Sequence, residues 1–203
     1  MYNMKLGFFG GSFNPPTYAH LNIAKSVIKE MKLDKFYFVP MGNNYKKKDL
    51  IDENSRLEML KIICNNEEKI DVSSIELNKK EEIETYQAFE MIKNRYKNDE
   101  IFFIMGADNF EKMPSWTNSE RLMSSYKYVI INRNNINIEK VIKNNKIMKN
   151  NIKNFDIIDI KEEYKTISSS KVRELLHEKR LTSVKDYIPD EILSYIIKNK
   201  IWS

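Results

Sequence analysis

Six short apolar runs, spaced so that a helix fits between each pair, constrain the fold of this chain more than any other feature. They fall at residues 5–9, 36–39, 70–75, 101–105, 128–131 and 155–158 and are rich in β-branched and aromatic side chains. Their apolar residues stand largely on consecutive positions, the mark of a strand buried on both faces. The intervening segments carry helical spacing. Leu21, Ala24, Val27 and Ile28 make one stripe; Leu57, Leu60, Ile63 and Cys64 make another, opened by the capping-box pattern SRLE at residues 55–58. This alternation predicts an α/β fold with a mainly parallel sheet and right-handed crossovers. In such sheets ligands sit beyond the carboxyl ends of the strands, where loops lead into helices.

Residues 136–154 are mostly Asn, Lys and Ile, and predict a surface helix and loop without chemistry. Two more helices are predicted near residues 169–178 and 190–199, the second just after Pro189. With no internal repeat and no flexible linker, the expectation is one domain over residues 1–203, with a core of about 4–165 and a C-terminal helical part of about 166–203.

Composition narrows the class. A 41% apolar and 31% charged content excludes general disorder. No apolar run approaches the ~20 residues of a membrane span, and the first residues lack the apolar core of a signal peptide. The single cysteine, Cys64, has no partner for an internal disulfide, so a reduced, cytoplasmic protein is expected. The net charge of +5 would suit small anions as well as nucleic acid. Its lysines are scattered among glutamates and asparagines, the pattern of a solvated surface, so neither a nucleic-acid nor a membrane partner is expected; no oligomeric state is indicated.

The residues that could carry chemistry lie in loops after strands. The first run is followed by FGGSFNPPTYAH at residues 9–20. A helix starting near Tyr18 would present unpaired N–H groups and the positive end of its dipole, which suits a phosphate. Gly10 and Gly11 would let the backbone pass close to a ligand, and Thr17 and His20 could face the same anion; a plain turn capped by Thr17 is the competing reading. ISSSKVR at residues 167–173 again puts hydroxyls and cations at a helix start, with Ser169 or Ser170 as an ordinary cap in the bland reading. Arg173 would oppose the helix dipole there unless an anion sits nearby. Two anion-ready helix starts suggest a triphosphate held between them. MGADN at residues 105–109 ends an apolar strand with Gly106 and Asp108, suited to ribose hydroxyls, though Asp108 could equally be a helix cap. Trp116, after Pro114, could stack on a flat ring or belong to the core. YKKK at residues 45–48 is a cationic cluster, more often solvated than functional.

Together these motifs resemble the nucleotidyltransferase superfamily with the G-x-F-x-P-x-[HT]-x-x-H loop, and within it the nicotinate or nicotinamide mononucleotide adenylyltransferases. GSFNP from Gly11 and Phe13, with Thr17 and His20, fills the first motif; ISSSKVR fills the second; FIMGAD with Trp116, and RLEML at residues 56–60, are similar to further family segments. The resemblance implies a Rossmann-like parallel sheet with helices on both faces, of nucleotidyltransferase type, and a small C-terminal helical extension. It implies transfer of AMP from ATP to the mononucleotide 5′-phosphate, with release of pyrophosphate and formation of NAD or its deamido form. Another adenylyl- or cytidylyltransferase of the superfamily, acting on phosphopantetheine or a phospho-alcohol, is the alternative. A fold that has lost turnover is a further rival, against which Thr17, His20 and Arg173 argue.

By the same resemblance, His20 would serve the ATP phosphates and the charge building up in the transition state, with Thr17 hydrogen-bonding beside it. Gly11, Ser12 and Phe13 would line the ATP site. Arg173, Ser168 and Ser169 would hold the β- and γ-phosphates, and Gly106 and Asp108 the adenosine ribose. Ser12 and Lys47 would hold the mononucleotide phosphate, Trp116 would stack on the pyridine, and Thr85 would meet its carboxylate or amide through the backbone. Catalytic roles fall to His20, Arg173 and Lys47. Mg²⁺ would arrive with ATP, held by phosphate and water oxygens and not by a protein-built cage. Thr17, where nicotinate-preferring bacterial enzymes usually carry histidine, and the Glu84-Thr85 pair resemble enzymes that also accept the amide; the chain length is that of the bacterial branch.

Overall fold

The computed structural model describes residues 3–45, 49–133 and 136–202. Six parallel strands, β1 (Lys5–Gly11), β2 (Lys35–Pro40), β3 (Ile70–Val72), β4 (Glu100–Gly106), β5 (Lys127–Asn132) and β6 (Phe155–Asp159), form one sheet in the order β3-β2-β1-β4-β5-β6. All six predicted runs are strands, the third cut to three residues where the chain turns away after Val72. The order reverses direction between β1 and β4, the position at which open α/β sheets leave a crevice.

The consecutive apolar runs have a simple cause. Phe9, Phe36, Phe38, Phe102, Ile104, Val129 and Ile131 point to one face, against α1 (Tyr18–Met31), α2 (Glu53–Cys64), α9 (Ser169–His177) and α11 (Asp190–Lys198). Their neighbours Leu6, Phe8, Phe103, Met105, Tyr128 and Ile130 point to the other, against α3 (Thr85–Arg95), α4 (Ala107–Lys112), α5 (Ser119–Ser125), α6 (Ile138–Asn144) and α7 (Lys146–Asn150). A strand covered on both sides must be apolar at every position. Removing one of these side chains from water is worth about 1.5–3 kcal/mol. The short helices α8 (Glu162–Lys165) and α10 (Leu181–Val184) complete the set among the described residues.

Helix starts differ in detail from expectation. α2 begins at Glu53 with Asp52 as its cap, whose side chain accepts from the Ser55 N–H at 2.9 Å; Ser55 is therefore inside the first turn. Residues 136–154, expected as a surface helix and loop, form two short helices capped by the Asn137 and Asn145 side chains, with Ile138, Ile142 and Met148 buried. The C-terminal helices share the core of the first face: Val172, Leu175, Val184, Ile192 and Ile196 pack with Phe13 and Ile23. The Tyr18 N–H donates to the Tyr187 carbonyl at 2.9 Å, tying the start of α1 to the same region.

Candidate active site

Beyond the carboxyl ends of β1 and β4 lies a cavity of two lobes, each of about 300 Å³, which share Gly10, Gly11 and Asn109 as wall. No described glycine has a positive φ. What Gly10 supplies is space: a Cβ there would meet nothing within 4 Å, so any side chain would stand in the cavity. Gly106 is needed for close approach, because a Cβ would collide with the Asp108 carboxylate.

The loop from β1 to α1 turns through Phe13 at φ 46 and a cis Asn14–Pro15 bond. It is held from both sides. Arg56, fully buried, donates to the carbonyls of Ser12 and Ile51, each at 3.1 Å, and to Asn43 Oδ1 at 3.3 Å. Asn14 donates to the Asp49 carbonyl at 2.7 Å and accepts from the Ile51 N–H at 3.3 Å. From the far end of the chain, Ser169 Oγ donates to the Pro15 carbonyl at 2.7 Å and Arg173 Nη1 to the Asn14 carbonyl at 2.8 Å. Three loop carbonyls are thus satisfied by side-chain donors, and the turn keeps its shape without a ligand.

His20 stands at the third position of α1, behind the cap Thr17. The Thr17 N–H donates to His20 Nδ1 at 3.0 Å, and Thr17 Oγ1 lies 2.8 Å from the same nitrogen. A backbone N–H is always a donor, so Nδ1 must offer its lone pair and the proton of the neutral ring sits on Nε2. Phe13 packs edge-on against the ring with centroids 5.1 Å apart, and Phe9 lies at 6.2 Å. Burial among these groups, and then the Arg133 guanidinium, pushes the His20 pKa down to about 3. The ring is a neutral, single-proton donor in the first lobe. Thr17, expected to bond beside His20 at the phosphates, is fully buried and does not form part of the cavity wall; it orients His20 from behind.

The first lobe brings together Gly11, Ser12, Phe13 and His20 from the opening loop and α1, Gly106 and Asp108 from β4 and α4, and Ser168, Ser169 and Arg173 from the start of α9. The Ser168 side chain caps α9, accepting from the Lys171 N–H at 3.2 Å. The Ser169 hydroxyl proton is committed to Pro15, but Ser168 Oγ only accepts and keeps its own proton, so the turn offers an anion the Ser168 O–H, the helix start and the Arg173 guanidinium, one nitrogen of which is held by the Asn14 carbonyl. Asp108 does not cap α4, whose cap is Gly106; it pairs with Arg133 Nη2 at 3.4 Å. Arg133, missed in the sequence, leaves β5 as Gly106 leaves β4, and the rule that ligands gather at strand ends pointed to it.

The second lobe is lined by Trp116, partly exposed after the turn Met113–Ser115, and by Thr85, the first residue of α3. Ser12 lines only the first lobe, although the sequence assigned it to both nucleotides. Lys47 lies outside the described residues. Two polar groups in this lobe were not expected: the Tyr45 hydroxyl stands 3.2 Å from Glu76 Oε2 and 2.5 Å from the Ile83 carbonyl. Burial pushes the Glu76 pKa up to about 7, partly offset by the Tyr45 hydroxyl.

Comparison with known proteins agrees with this geometry. A family model described as cytidylyltransferase-like matches residues 8–175, a span that includes both phosphate-type motifs. The probable nicotinate-nucleotide adenylyltransferase of Clostridium tetani is 32% identical over 96% of each chain. The chain belongs to the nicotinate-nucleotide adenylyltransferase family. Another member, the nicotinate-nucleotide adenylyltransferase of Bacillus subtilis, is 28% identical over 98% of each chain. Among solved structures, the Plasmodium falciparum nicotinic acid mononucleotide adenylyltransferase complexed with NaAD matches this family member with a TM-score of 0.84, at 26% identity over 98% of each chain.

Proposed function

We propose that the protein transfers AMP from ATP to the 5′-phosphate of nicotinate mononucleotide, yielding the deamido dinucleotide and pyrophosphate, with the amide form as a second acceptor. The observation that carries this reading is the pair of lobes meeting at Gly10, Gly11 and Asn109: one is walled by a cation and a helix start, the other by an indole. Two nucleotides joined through their phosphates fit that division.

ATP takes the first lobe, its ribose near Gly106 and Asp108 and its β- and γ-phosphates at the start of α9 beside Arg173. The mononucleotide takes the second, its ring against Trp116 and its substituent toward the first N–H groups of α3 at Thr85. An oxygen of the mononucleotide phosphate attacks the α-phosphorus of ATP in line. The new P–O bond forms as the bond to the bridging oxygen breaks, and its electron pair leaves with pyrophosphate. Such a transfer is driven by positioning and by charge stabilisation. His20 supplies a fixed Nε2–H donor to the phosphoryl oxygens without itself titrating near neutral pH.

Magnesium suits this site as a companion of ATP. The described residues hold no group of three or more His, Cys, Asp or Glu side chains, and Asp108 is the one carboxylate along the first lobe. Mg²⁺ would be held by phosphate and water oxygens and would neutralise phosphate charge.

The test is direct. Purified protein with ATP and Mg²⁺ should release pyrophosphate on addition of nicotinate mononucleotide, with dinucleotide formed in equal amount. Phosphopantetheine with ATP, and phospho-alcohols with CTP, serve as comparison acceptors. Turnover of one of these, with neither mononucleotide used, would overturn the proposal.

A further inference from the structure

The second lobe contains one acid and no cation among its described lining residues. The acid is Glu76, just beyond β3, partly buried and reaching the same space as Thr85 and Trp116. If the pyridine nucleotide lies there, as proposed above, its acid and amide forms differ in one property Glu76 can sense. The acid carries a negative charge; the amide is neutral and has N–H donors.

We propose that Glu76 is a specificity-determining residue of the mononucleotide lobe, its carboxyl group, anchored by Tyr45, admitting the nicotinate form when neutral and favouring the nicotinamide form when charged. This rests on the reading of the lobe as the pyridine site. Tyr45 comes from the β2–α2 connection, with its hydroxyl 3.2 Å from Glu76 Oε2. That hydroxyl also meets the Ile83 carbonyl, so its single proton is contested and Glu76 is not permanently held as an anion by it. Among the described residues that line the lobe, none carries a positive charge. Glu82 and Glu84, on the stretch leading to α3, bear on Tyr45 as carboxylates. Below Glu76, Glu53 accepts from the Asn43 and Asn78 N–H groups, each at 2.9 Å. Thr85 and Asn109 offer neutral polar groups and Trp116 an aromatic face; residues 46–48 lie outside the described set. In this setting the raised pKa of about 7 places the change of charge inside the physiological range.

The sign follows. Below about pH 7 Glu76 is a neutral carboxyl that tolerates, and can donate to, the nicotinate carboxylate. Above it, two like charges would share one lobe, while the amide N–H groups gain an acceptor. The experiment measures kcat/KM for nicotinate and nicotinamide mononucleotide across pH, with the amide followed as a competitive inhibitor if its turnover is too slow. The ratio cancels the titration of the 5′-phosphate, which both share. Exclusion of nicotinate by the ionised group alone lowers the nicotinate-to-nicotinamide ratio about tenfold between pH 6 and pH 8, and preference of the charged form for the amide lowers it further, to at most about 100-fold. Glu76→Gln should flatten that dependence and leave nicotinate used well at high pH. Tyr45→Phe removes a hydrogen bond that favours the anion, and should move the midpoint upward. A pH-independent wild-type ratio, or the same slope in Glu76→Gln, overturns the role of Glu76 while the activity stands. Failure to use either mononucleotide overturns the parent reading and this one with it.

Discussion

Replacing His20 with glutamine isolates one proton and one hydrogen bond. In the folded protein the ring titrates near 3, against 6.5 when unperturbed. Between these values the unfolded chain binds a proton that the folded chain does not, so stability rises with pH across that window and falls as the solution is acidified. One proton gives a slope of about 1.4 kcal/mol per pH unit, whatever the full depth of the shift. From about pH 7.5 to about pH 5, His20 should therefore cost the fold about 2 kcal/mol. Urea unfolding of wild type and His20→Gln at both pH values measures this, because the carboxylates shared by the two proteins cancel in the comparison. The wild type should lose about 2 kcal/mol more than the variant on acidification. His20→Ala, which leaves no donor at this position, should lower kcat about 10²–10³-fold, as for loss of one preorganised donor to developing charge. Parallel pH dependences would refute the neutral, locked imidazole. A kcat within threefold of wild type would refute its place at the phosphates.

Other substitutions test other parts. Arg56→Met strands the Ser12 and Ile51 carbonyls and the Asn43 side chain in a buried place; unfolding in urea should show a loss of about 3 kcal/mol or more. Gly10→Val fills the shared wall of the two lobes without a clash, so turnover should vanish while the melting temperature moves by only a few degrees. Trp116→Ala should raise the mononucleotide KM about tenfold through lost stacking, with the KM for ATP unchanged.

The four central strands were legible because burial on both faces forces apolar residues along most of their length; the edge strands β3 and β6 are only partly buried and were read from their β-branched and aromatic residues. Motifs contiguous in sequence, such as Gly11 through His20 and Ser168 through Arg173, were legible for the same local reason. What escaped depends on distance along the chain. Arg56 could be read as part of a segment, but its hold on Ser12 joins residues 44 positions apart. Arg133 shows no motif, and its value comes from the end of β5 lying beside β4, a fact of strand order. Glu76 looks like any surface glutamate until Tyr45 and Ile83 close around it. The neutral state of His20 was hidden for the opposite reason: its partner Thr17 is only three residues away, but the bond runs to a backbone N–H that sequence reading does not weigh.

The bonds from Ser169 to Pro15 and from Arg173 to Asn14 span 154 and 159 residues. A ribosome making this chain finishes the opening loop more than 150 residues before the residues that clasp it. Until then the growing protein has its opening loop without a clasp, and the start of α9 does not yet exist. Half-made copies, and copies clipped before residue 169, therefore lack the two bonds that hold the Asn14 and Pro15 carbonyls. Order of synthesis thus delays the closed loop until the start of α9 has been made.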